Sequence, residues 1–393
     1  MGVAKNPLLL WAKSQPPATE DISLNMDPCL SALKRTPPSL TAETLTTLVR
    51  ASDDPDVISA LSSSAVIDAL SAKARSTPER EEELTEVLLS QQVFLAASRA
   101  QEFLDALAAS PSLSPLLEYL LMALLRLAPE NRIHTVFAAI LINFTRCLGI
   151  TRTLLTSPSL PNAAGLMFNI SFTKATAGTA PLIQRSLYLL INIATAAGDA
   201  PSVAHLFVDS LAANLVGAHI VDTAADYPGI SFQYSQLLHN MFLMLRPADQ
   251  SATGSDQAEN RAQTAKMLEP LVEHILLALV CERSLETKAE PRGAGLTPEE
   301  HAALPERVQA HMASLSSLRF PSEETRANLS DCLLLYCHTD HGKKSLQDLG
   351  AYPLLRELHL SIVESLGDRC YLADSLLTVI EGVIAEPDLD GVN

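Results

Sequence analysis

Two apolar stripes with helical spacing follow each other in Ala327–Leu366, and they constrain the fold more than any other feature of this sequence. The first stripe consists of Leu329, Cys332, Leu333, Tyr336 and Cys337, at i, i+3, i+4, i+7 and i+8. The second stripe consists of Leu354, Leu355, Leu358, Ile362 and Leu366. The connector is polar, and we expect Gly342 to end the first helix with a positive φ. We expect Gly350 to end a short turn and Pro353 to take the first position of the second helix.

A pair of helices of this kind cannot bury both stripes alone. Such pairs stack side by side in α-solenoids, where each unit completes the core of its neighbour. The composition agrees, because 47% of the 393 residues are hydrophobic but only 5% are aromatic, and alternating β-branched runs are scarce. The sequence therefore predicts an all-α fold, an α-solenoid superhelix of roughly seven to nine repeats.

One part of the chain resembles a known family. Gly350–Leu358, with the sequence GAYPLLREL, resembles the G-A-x-P-x-L-x-x-L segment of an armadillo repeat. The longer run LLLYCHTDHGKKSLQDLGAYPLLRELH is similar to the eukaryotic armadillo-type family that helps translation elongation factor 2 to fold. Thr297–Glu300 and Ala303–Gln309 are similar to that family too, in the same order, so the resemblance covers about residues 296–360.

The resemblance implies an armadillo/HEAT-like solenoid and a non-enzymatic folding factor. Such a protein would bind incompletely folded elongation factor 2 and pass it to cytosolic chaperones, with the cytosolic chaperonin as a candidate recipient. The alternative is a generic armadillo scaffold, or a transport adaptor, with another protein client. An enzyme would need a convergent polar site, which this sequence does not show.

Three asparagines recur inside apolar helices at nearly equal spacing. Asn143, Asn192 and Asn240 are 49 and 48 residues apart, slightly more than the roughly 40–47 residues of armadillo-like repeats. A buried amide is costly unless it is hydrogen-bonded. The resemblance to armadillo proteins implies that these side chains line a concave groove and bind the backbone of a client segment. The alternative is that each amide is hydrogen-bonded within the solenoid, between neighbouring repeats.

Charge and cysteine usage restrict the partners and the compartment. A net charge of −17 disfavours nucleic acid and favours a basic protein partner, although acidity also keeps a Leu-rich solenoid soluble. The apolar window 133–150 contains His134, Asn143 and Arg146, so we expect a buried helix and no membrane span. The six cysteines are scattered, as is typical of reduced thiols in the cytosol. We expect a cytoplasmic monomer.

The search for catalytic and metal-binding motifs is mostly negative. The sequence contains no Walker A loop, no G-x-S-x-G and no H-E-x-x-H. The best zinc candidate is the set Cys332, Cys337, His338 and His341, but both cysteines also fit the apolar stripe. Cys337 beside His338 could form a thiol nucleophile, yet adjacent helical positions point in different directions. We therefore expect buried thiols, histidines that cap the preceding helix, no cofactor and no enzymatic activity.

The chain divides by composition into three parts. Residues 1–40 are poorly patterned, and we expect loose order apart from a short helix. Residues 41–384 form the armadillo-like domain, with polar insertions near 246–262 and 282–296, and residues 385–393 form an acidic tail. Within the domain we expect one helix over 56–74 and another that starts at Thr77 and Pro78. We also expect a helix from Met267, a cap at Thr41 and a capping box at Thr297.

Overall fold

The computed structural model of the protein describes residues 27–78, 80–246, 255–285, 295–314, 321–366 and 370–384. These residues form α-helices and short 3-10 helices, and no β-strand occurs among them. The chain forms two compact units, Met1–Leu166, called unit 1 below, and Met167–Asn393, called unit 2. The all-α prediction is confirmed.

Unit 1 consists of short and medium-length helices in its described part. They are α1 Asp27–Leu33, α2 Ala42–Arg50, α3 Pro55–Leu61, α4 Ser64–Ala74, α5 Glu81–Ala97, α6 Gln101–Ala108, α7 Leu113–Arg126, α8 Arg132–Phe144 and α9 Leu148–Leu155. The next helix, α10 Leu160–Ser171, contains the boundary between the two units.

Every third helix of unit 1 packs on its equivalent in the next repeat. Helix α2 packs against α5 and α5 against α8, while α3 packs against α6 and α6 against α9. At the centre, the buried ring of Phe94 contacts Phe103 and Phe144, and the ring centroids are 6.0 Å apart in both pairs. Each three-helix repeat therefore completes the core of its neighbour, which is the arrangement of an armadillo-type α-solenoid.

Unit 2 contains longer helices. They are α11 Ala180–Ala194, α12 Pro201–Ala213, α13 Val216–Ala224, α14 Pro228–Phe242, α15 Ser255–Ala278, α16 Pro298–Ala303, α17 Glu306–Ser314, α18 Glu323–Cys337, α19 Asp340–Asp348, α20 Ala351–Leu366 and α21 Tyr371–Ile384. Short 3-10 helices occupy Ala197–Asp199, Leu243–Leu245 and Glu282–Leu285.

Four helices of unit 2 also pack in series. Helix α11 packs against α14, α14 against α18, and α18 against α21. The long helix α15 packs against α12, α13, α17 and α19. Buried tyrosines fill the series: Tyr234 donates its hydroxyl to the carbonyl of Ser171, and Tyr336 lies edge-on to Phe242 at 6.0 Å. Unit 2 thus shows serial packing of its own, with an additional long helix.

Helix caps agree with several sequence signals. The Thr41 side chain accepts a hydrogen bond from the backbone N–H of Thr44 at the start of α2. Thr297 and Glu300 form the expected capping box at α16, with both reciprocal bonds present. Gly350 has a positive φ of 60° between α19 and α20, as expected of a residue that ends a helix.

Other boundaries differ from the predictions. The predicted helix 56–74 is two helices, α3 and α4, which bend by 76° at residues 62–63. Thr77 does not cap α5, which begins at Glu81 after Arg80. Gly342 does not end a helix with a positive φ but lies inside α19, where a Cβ atom would lie 2.0 Å from the carbonyl oxygen of Tyr336. This glycine therefore serves a close backbone contact.

Two further helices begin earlier than expected. Helix α20 starts at Ala351, so Pro353 is its third residue, still in the first turn where a missing N–H leaves no hydrogen bond unmade. Helix α15 starts at Ser255, before Met267, so the predicted loop was wrong for residues 255–261. Residues 1–26, 247–254, 286–294 and 385–393, on which the remaining loop and tail predictions fall, lie outside the described residues.

No single helix in the described ranges is long and apolar enough to cross a membrane. Four pairs of consecutive helices, each bent sharply at its junction, would reach that length and composition together.

Candidate protein-binding surface

The three predicted asparagines occupy equivalent places, near the C-terminal ends of helices that belong to the packed series. Asn143 lies on α8, Asn192 on α11 and Asn240 on α14, and each side chain is half-buried. Serial packing requires such residues to be spaced by about one repeat, so the recurrence in the sequence reflects the recurrence of the helices. All three asparagines lie on helices, as predicted, and their role in binding stays a prediction.

Two of these amides join successive helices. The Nδ2 group of Asn143 donates to the Oγ atom of Ser98, at the end of α5, over 2.9 Å. The Nδ2 group of Asn240 donates to the carbonyl oxygen of Ile191 on α11 over 3.0 Å. Asn192 takes part in an interaction as well. The alternative of bonding within the solenoid thus holds for Asn143 and Asn240. Since an amide has two N–H donors and an acceptor oxygen, their binding to a client backbone stays a prediction.

A fourth asparagine belongs with these three, and sequence reasoning missed it. Asn328 on α18 donates from Nδ2 to the Oγ atom of Ser235 on α14 over 3.0 Å. Asn328 follows Asn240 by 88 residues, so the regular spacing of 48 and 49 residues does not lead to it. Helix α15 and the segments after it lengthen the chain between α14 and α18. Asn328 lies in the polar first half of α18, between Arg326 and Asp331, so the sequence carries no local signal that distinguishes it.

Asn192 and Asn240 lie at one end of a row of accessible side chains in unit 2. Gln184, Tyr188 and Asn192 are four residues apart on α11, so they share a face, and 50% of Tyr188 is exposed. Phe232, Gln236 and Asn240 repeat this spacing on α14 and are all half-buried.

The row continues onto the next two helices. The Tyr371 hydroxyl on α21 donates to Oδ1 of Asp331 on α18 over 2.9 Å. Nearby on α14, burial lowers the pKa of His239, an effect that the negative charge of Asp331 opposes. The residues of these four helices are called the ladder surface below: Gln184, Tyr188, Asn192, Phe232, Gln236, Asn240, Asn328, Asp331 and Tyr371. Aromatic rings beside amides and a carboxylate can contact both apolar side chains and the backbone of a bound protein.

The candidate zinc residues do not converge. Cys332 is fully buried, and Cys337 directs its Sγ atom to the carbonyl oxygen of Val379 at 3.9 Å. His338 is exposed, and His341 does not cap α18 as predicted, because its Nε2 atom lies 3.2 Å from the Glu269 carboxylate. Within the described part of the chain, no group of three or more His, Cys, Asp or Glu side chains could hold a metal ion.

The surroundings of Cys337 do not support the candidate thiol nucleophile either. Burial raises the pKa of the Cys337 thiol, and it raises the pKa of Cys332 still further. A raised pKa disfavours the thiolate, which is the reactive form of cysteine. These thiols fit the expected structural role in the core, and their surroundings do not activate them.

The sequence analysis did not predict a buried network of charged side chains in unit 2. The Glu357 carboxylate, only 1% exposed, accepts hydrogen bonds from Nε of Arg283 at 3.2 Å and from Nε of Arg356 at 2.9 Å. It also accepts the backbone N–H of Gly295 over 3.1 Å. Arg356 reaches Glu300 on α16 at 2.7 Å. The network joins Arg283 and the start of α16 to α20, so it ties these segments of unit 2 together.

Comparisons with known proteins identify no family. No protein-family model matches the chain, and no curated protein matches it. Among solved structures, a chain of the crystal complex of SYS-1/POP-1 aligns with 90% of this chain and 80% of its own length. Its sequence identity is 11% and its TM-score is 0.25, so this likeness carries no argument about function. The architecture described above rests on the packing of the helices.

Proposed function

We propose that this chain is a non-enzymatic protein-binding factor. The ladder surface supports this proposal, because four successive helices present aromatic, amide and carboxylate groups along one row. A row of this kind can follow an extended or helical segment of a client over several repeats. Binding would need no cofactor and no nucleotide, which agrees with the absence of the corresponding motifs from the sequence.

We further propose that the client is translation elongation factor 2, held while incompletely folded and then passed to cytosolic chaperones such as the chaperonin. The resemblance of about residues 296–360 to the armadillo-type folding factors of that protein supports this assignment. The scattered buried thiols support a reducing compartment, and we propose the cytoplasm. In this function the chain would act as a monomer.

The test measures binding of purified elongation factor 2 to the full-length chain. Native and chemically unfolded factor would be diluted into the chain, and complex formation followed by light scattering and analytical ultracentrifugation. The double substitution of exposed ladder residues, Gln184→Ala with Tyr188→Ala, should weaken binding about tenfold, as loss of a central aromatic contact does in other interfaces. The matched control is Leu360→Ala on α20, which removes an exposed apolar side chain outside the ladder surface. Equal binding by all three chains would contradict the role of the ladder surface, and absence of binding by the unmodified chain would refute the proposed client.

One observation favours the second candidate, a scaffold or transport adaptor for another client. Tyr188, Phe232 and Asn240 on the ladder surface all lie outside the segment of about residues 296–360 that carries the family resemblance. The ladder surface can therefore serve a different protein. If the Gln184→Ala, Tyr188→Ala chain lost another partner and kept elongation factor 2, this second function would replace the first.

A further inference from the structure

The last helix of the described chain, α21, leaves an apolar face uncovered. Tyr371 is 64% exposed, Leu377 is 43% exposed and Ile384 is 56% exposed. Together with Asp374, Thr378 and Glu381 they follow helical spacing, so they form one stripe, called the α21 face below. Its opposite side is buried against α18 and α20 and consists of Leu372, Leu376, Val379 and Val383. Large apolar side chains gathered on an exposed face are a sign of a binding surface.

The charged residues of α21 have a single sign, because exposed Asp374 and Glu381 occur there without any Lys, Arg or His. Cations on neighbouring segments are Arg246, whose charge acts on Tyr371, and exposed Lys343 and Lys344 on α19. The neighbouring helix α18 adds exposed Glu323 and Glu324 and half-buried Asp331, against one half-buried arginine, Arg326. Apolar side chains are therefore interleaved with carboxylates. A complementary partner carries cations on either side of its apolar residues.

An open cavity lies at the C-terminal end of this face. It has a volume of about 380 Å³ and is lined by Gln347, Gly350, Ala351, Tyr352, Val383 and Ile384. The side chain of Gln347 donates to the carbonyl oxygen of Val383 over 2.7 Å, which ties α19 to the end of α21 and supports one wall. The lining is mostly apolar, and the space is sufficient for one large aliphatic or aromatic side chain.

We propose that the α21 face binds a basic amphipathic segment of a protein partner. Lysine or arginine side chains of that segment lie against Asp374 and Glu381, its apolar residues cover Tyr371 and Leu377, and one large apolar side chain enters the cavity beside Ile384. The inference rests on the proposed function of the chain as a protein-binding factor, and it adds the chemistry of the bound segment.

The experiment uses the full-length chain and three designed, fluorescently labelled helical peptides. The first carries Lys on one face and Leu with Phe on the other, the second has Glu in place of Lys, and the third has Ser in place of Leu and Phe. Fluorescence anisotropy should show binding of the first peptide only. Charge reversal by Asp374→Lys with Glu381→Lys should weaken that binding by about tenfold, because two attractions become repulsions.

A matched variant separates this surface from the general acidity of the chain. Asp209→Lys with Glu259→Lys reverses one exposed Asp and one exposed Glu elsewhere in unit 2, so its net charge equals that of the first variant. It should bind the basic peptide like the unmodified chain. Leu377→Ser should weaken binding while Leu360→Ser, on α20, should not. Circular dichroism confirms that each variant is folded.

Other results would overturn the proposal. Equal losses in the two charge-reversed chains would mean non-specific attraction, and equal binding of the Lys and Glu peptides would remove the charge argument. If only a chain without residues 386–393 bound the peptide, the occupant of this face would be its own tail. If sedimentation showed a dimer that Leu377→Ser dissociates, the occupant would be a second copy. Peptide binding without binding of elongation factor 2 would contradict the proposed client and support this inference.

Discussion

Repeats are joined differently in the two units. In unit 1 a Ser-Pro-Ser-Leu turn occurs twice, at 110–113 and 157–160. Both hydroxyls of the first turn donate to Oδ1 of Asp68 on α4, at 3.0 and 2.7 Å, and both hydroxyls of the second donate to Glu118 on α7. One carboxylate on an earlier helix therefore holds each turn. This arrangement, in which two neutral serine hydroxyls bind one carboxylate, is called a joint below. It recurs after 47 residues.

Unit 2 contains a joint of another kind, where Glu357 is buried between two arginines and a backbone N–H. Neutral hydroxyl groups lose little hydration free energy when they bind a half-exposed carboxylate, so such a joint can occur in more than one repeat. A buried carboxylate is stable only while all of its partners are present. We infer that unit 1 distributes its joint stability over similar turns, whereas this part of unit 2 depends on one residue.

Replacement of Glu357 should give the largest effect. Glu357→Gln leaves two arginines facing a neutral amide, and loss of one partner from a buried ion pair costs about 3–5 kcal/mol of unfolding free energy. Urea unfolding with hydrogen exchange would measure the loss and locate it in unit 2. The control Glu364→Gln removes a carboxylate that also contacts Arg283 but is 65% exposed, and should cost at most about 1 kcal/mol. Similar losses for both variants would contradict the contrast between the joints.

Two glycine substitutions, one in each unit, should change the free energy of unfolding in opposite directions. In unit 2, a Cβ atom on Gly217 would lie 2.2 Å from the carbonyl oxygen of His274, so α13 and α15 would have to move apart. Gly217→Ala should therefore cost about 1–3 kcal/mol, the usual range for overpacking. In α10, Gly165 has open space where its Cβ would be. Gly165→Ala should stabilise by about 0.5–1 kcal/mol through its higher helix propensity. Thermal unfolding of both variants would check the opposite signs.

Acid should weaken the two units in different pH ranges. Burial lowers the pKa of His219, His274 and His311 in unit 2 below the ordinary value of 6.5. As the pH falls through 6.5, the unfolded chain binds protons that these buried rings do not, so stability decreases until the lowered folded pKa values are passed. In unit 1, the Ser157 and Ser159 hydroxyls lower the pKa of Glu118 below its ordinary 4.5, so its contribution is lost only under more acidic conditions.

The measurement is urea unfolding between about pH 7.5 and about pH 5, read by hydrogen exchange for each unit. Each histidine contributes about 1.4 kcal/mol per unit of pKa difference between the folded and unfolded states. His274→Leu should reduce the acid sensitivity of unit 2. If unit 1 lost stability first over this range, His219, His274 and His311 would not be the source of the acid response.

Local periodicity predicted more of the fold than of the surface. The cap at Thr41 and the capping box at Thr297 placed the starts of α2 and α16 correctly, since each depends only on residues of its own helix. The break between α3 and α4 was missed, because Ser63 begins α4 without a side-chain cap and leaves no local signal. The asparagines were found from their recurrence, but their partners were not. Asn328 bonds to Ser235, 93 residues away, and Glu357 to Arg283, 74 residues away, and such pairs depend on tertiary packing.

Serine substitutions test whether the two turns of unit 1 are equivalent. Ser110→Ala with Ser112→Ala, and separately Ser157→Ala with Ser159→Ala, should each cost about 1–2 kcal/mol, because each removes two hydrogen bonds to a half-exposed carboxylate. A cycle with Glu118→Gln should show coupling for the second pair only, and one with Asp68→Asn for the first pair only. Removal of Ser157 and Ser159 should also return the acid titration of Glu118 towards its ordinary range. Unequal losses at the two turns would mean that the shared sequence does not produce a shared joint, and that unit 1, like unit 2, depends on individual residues.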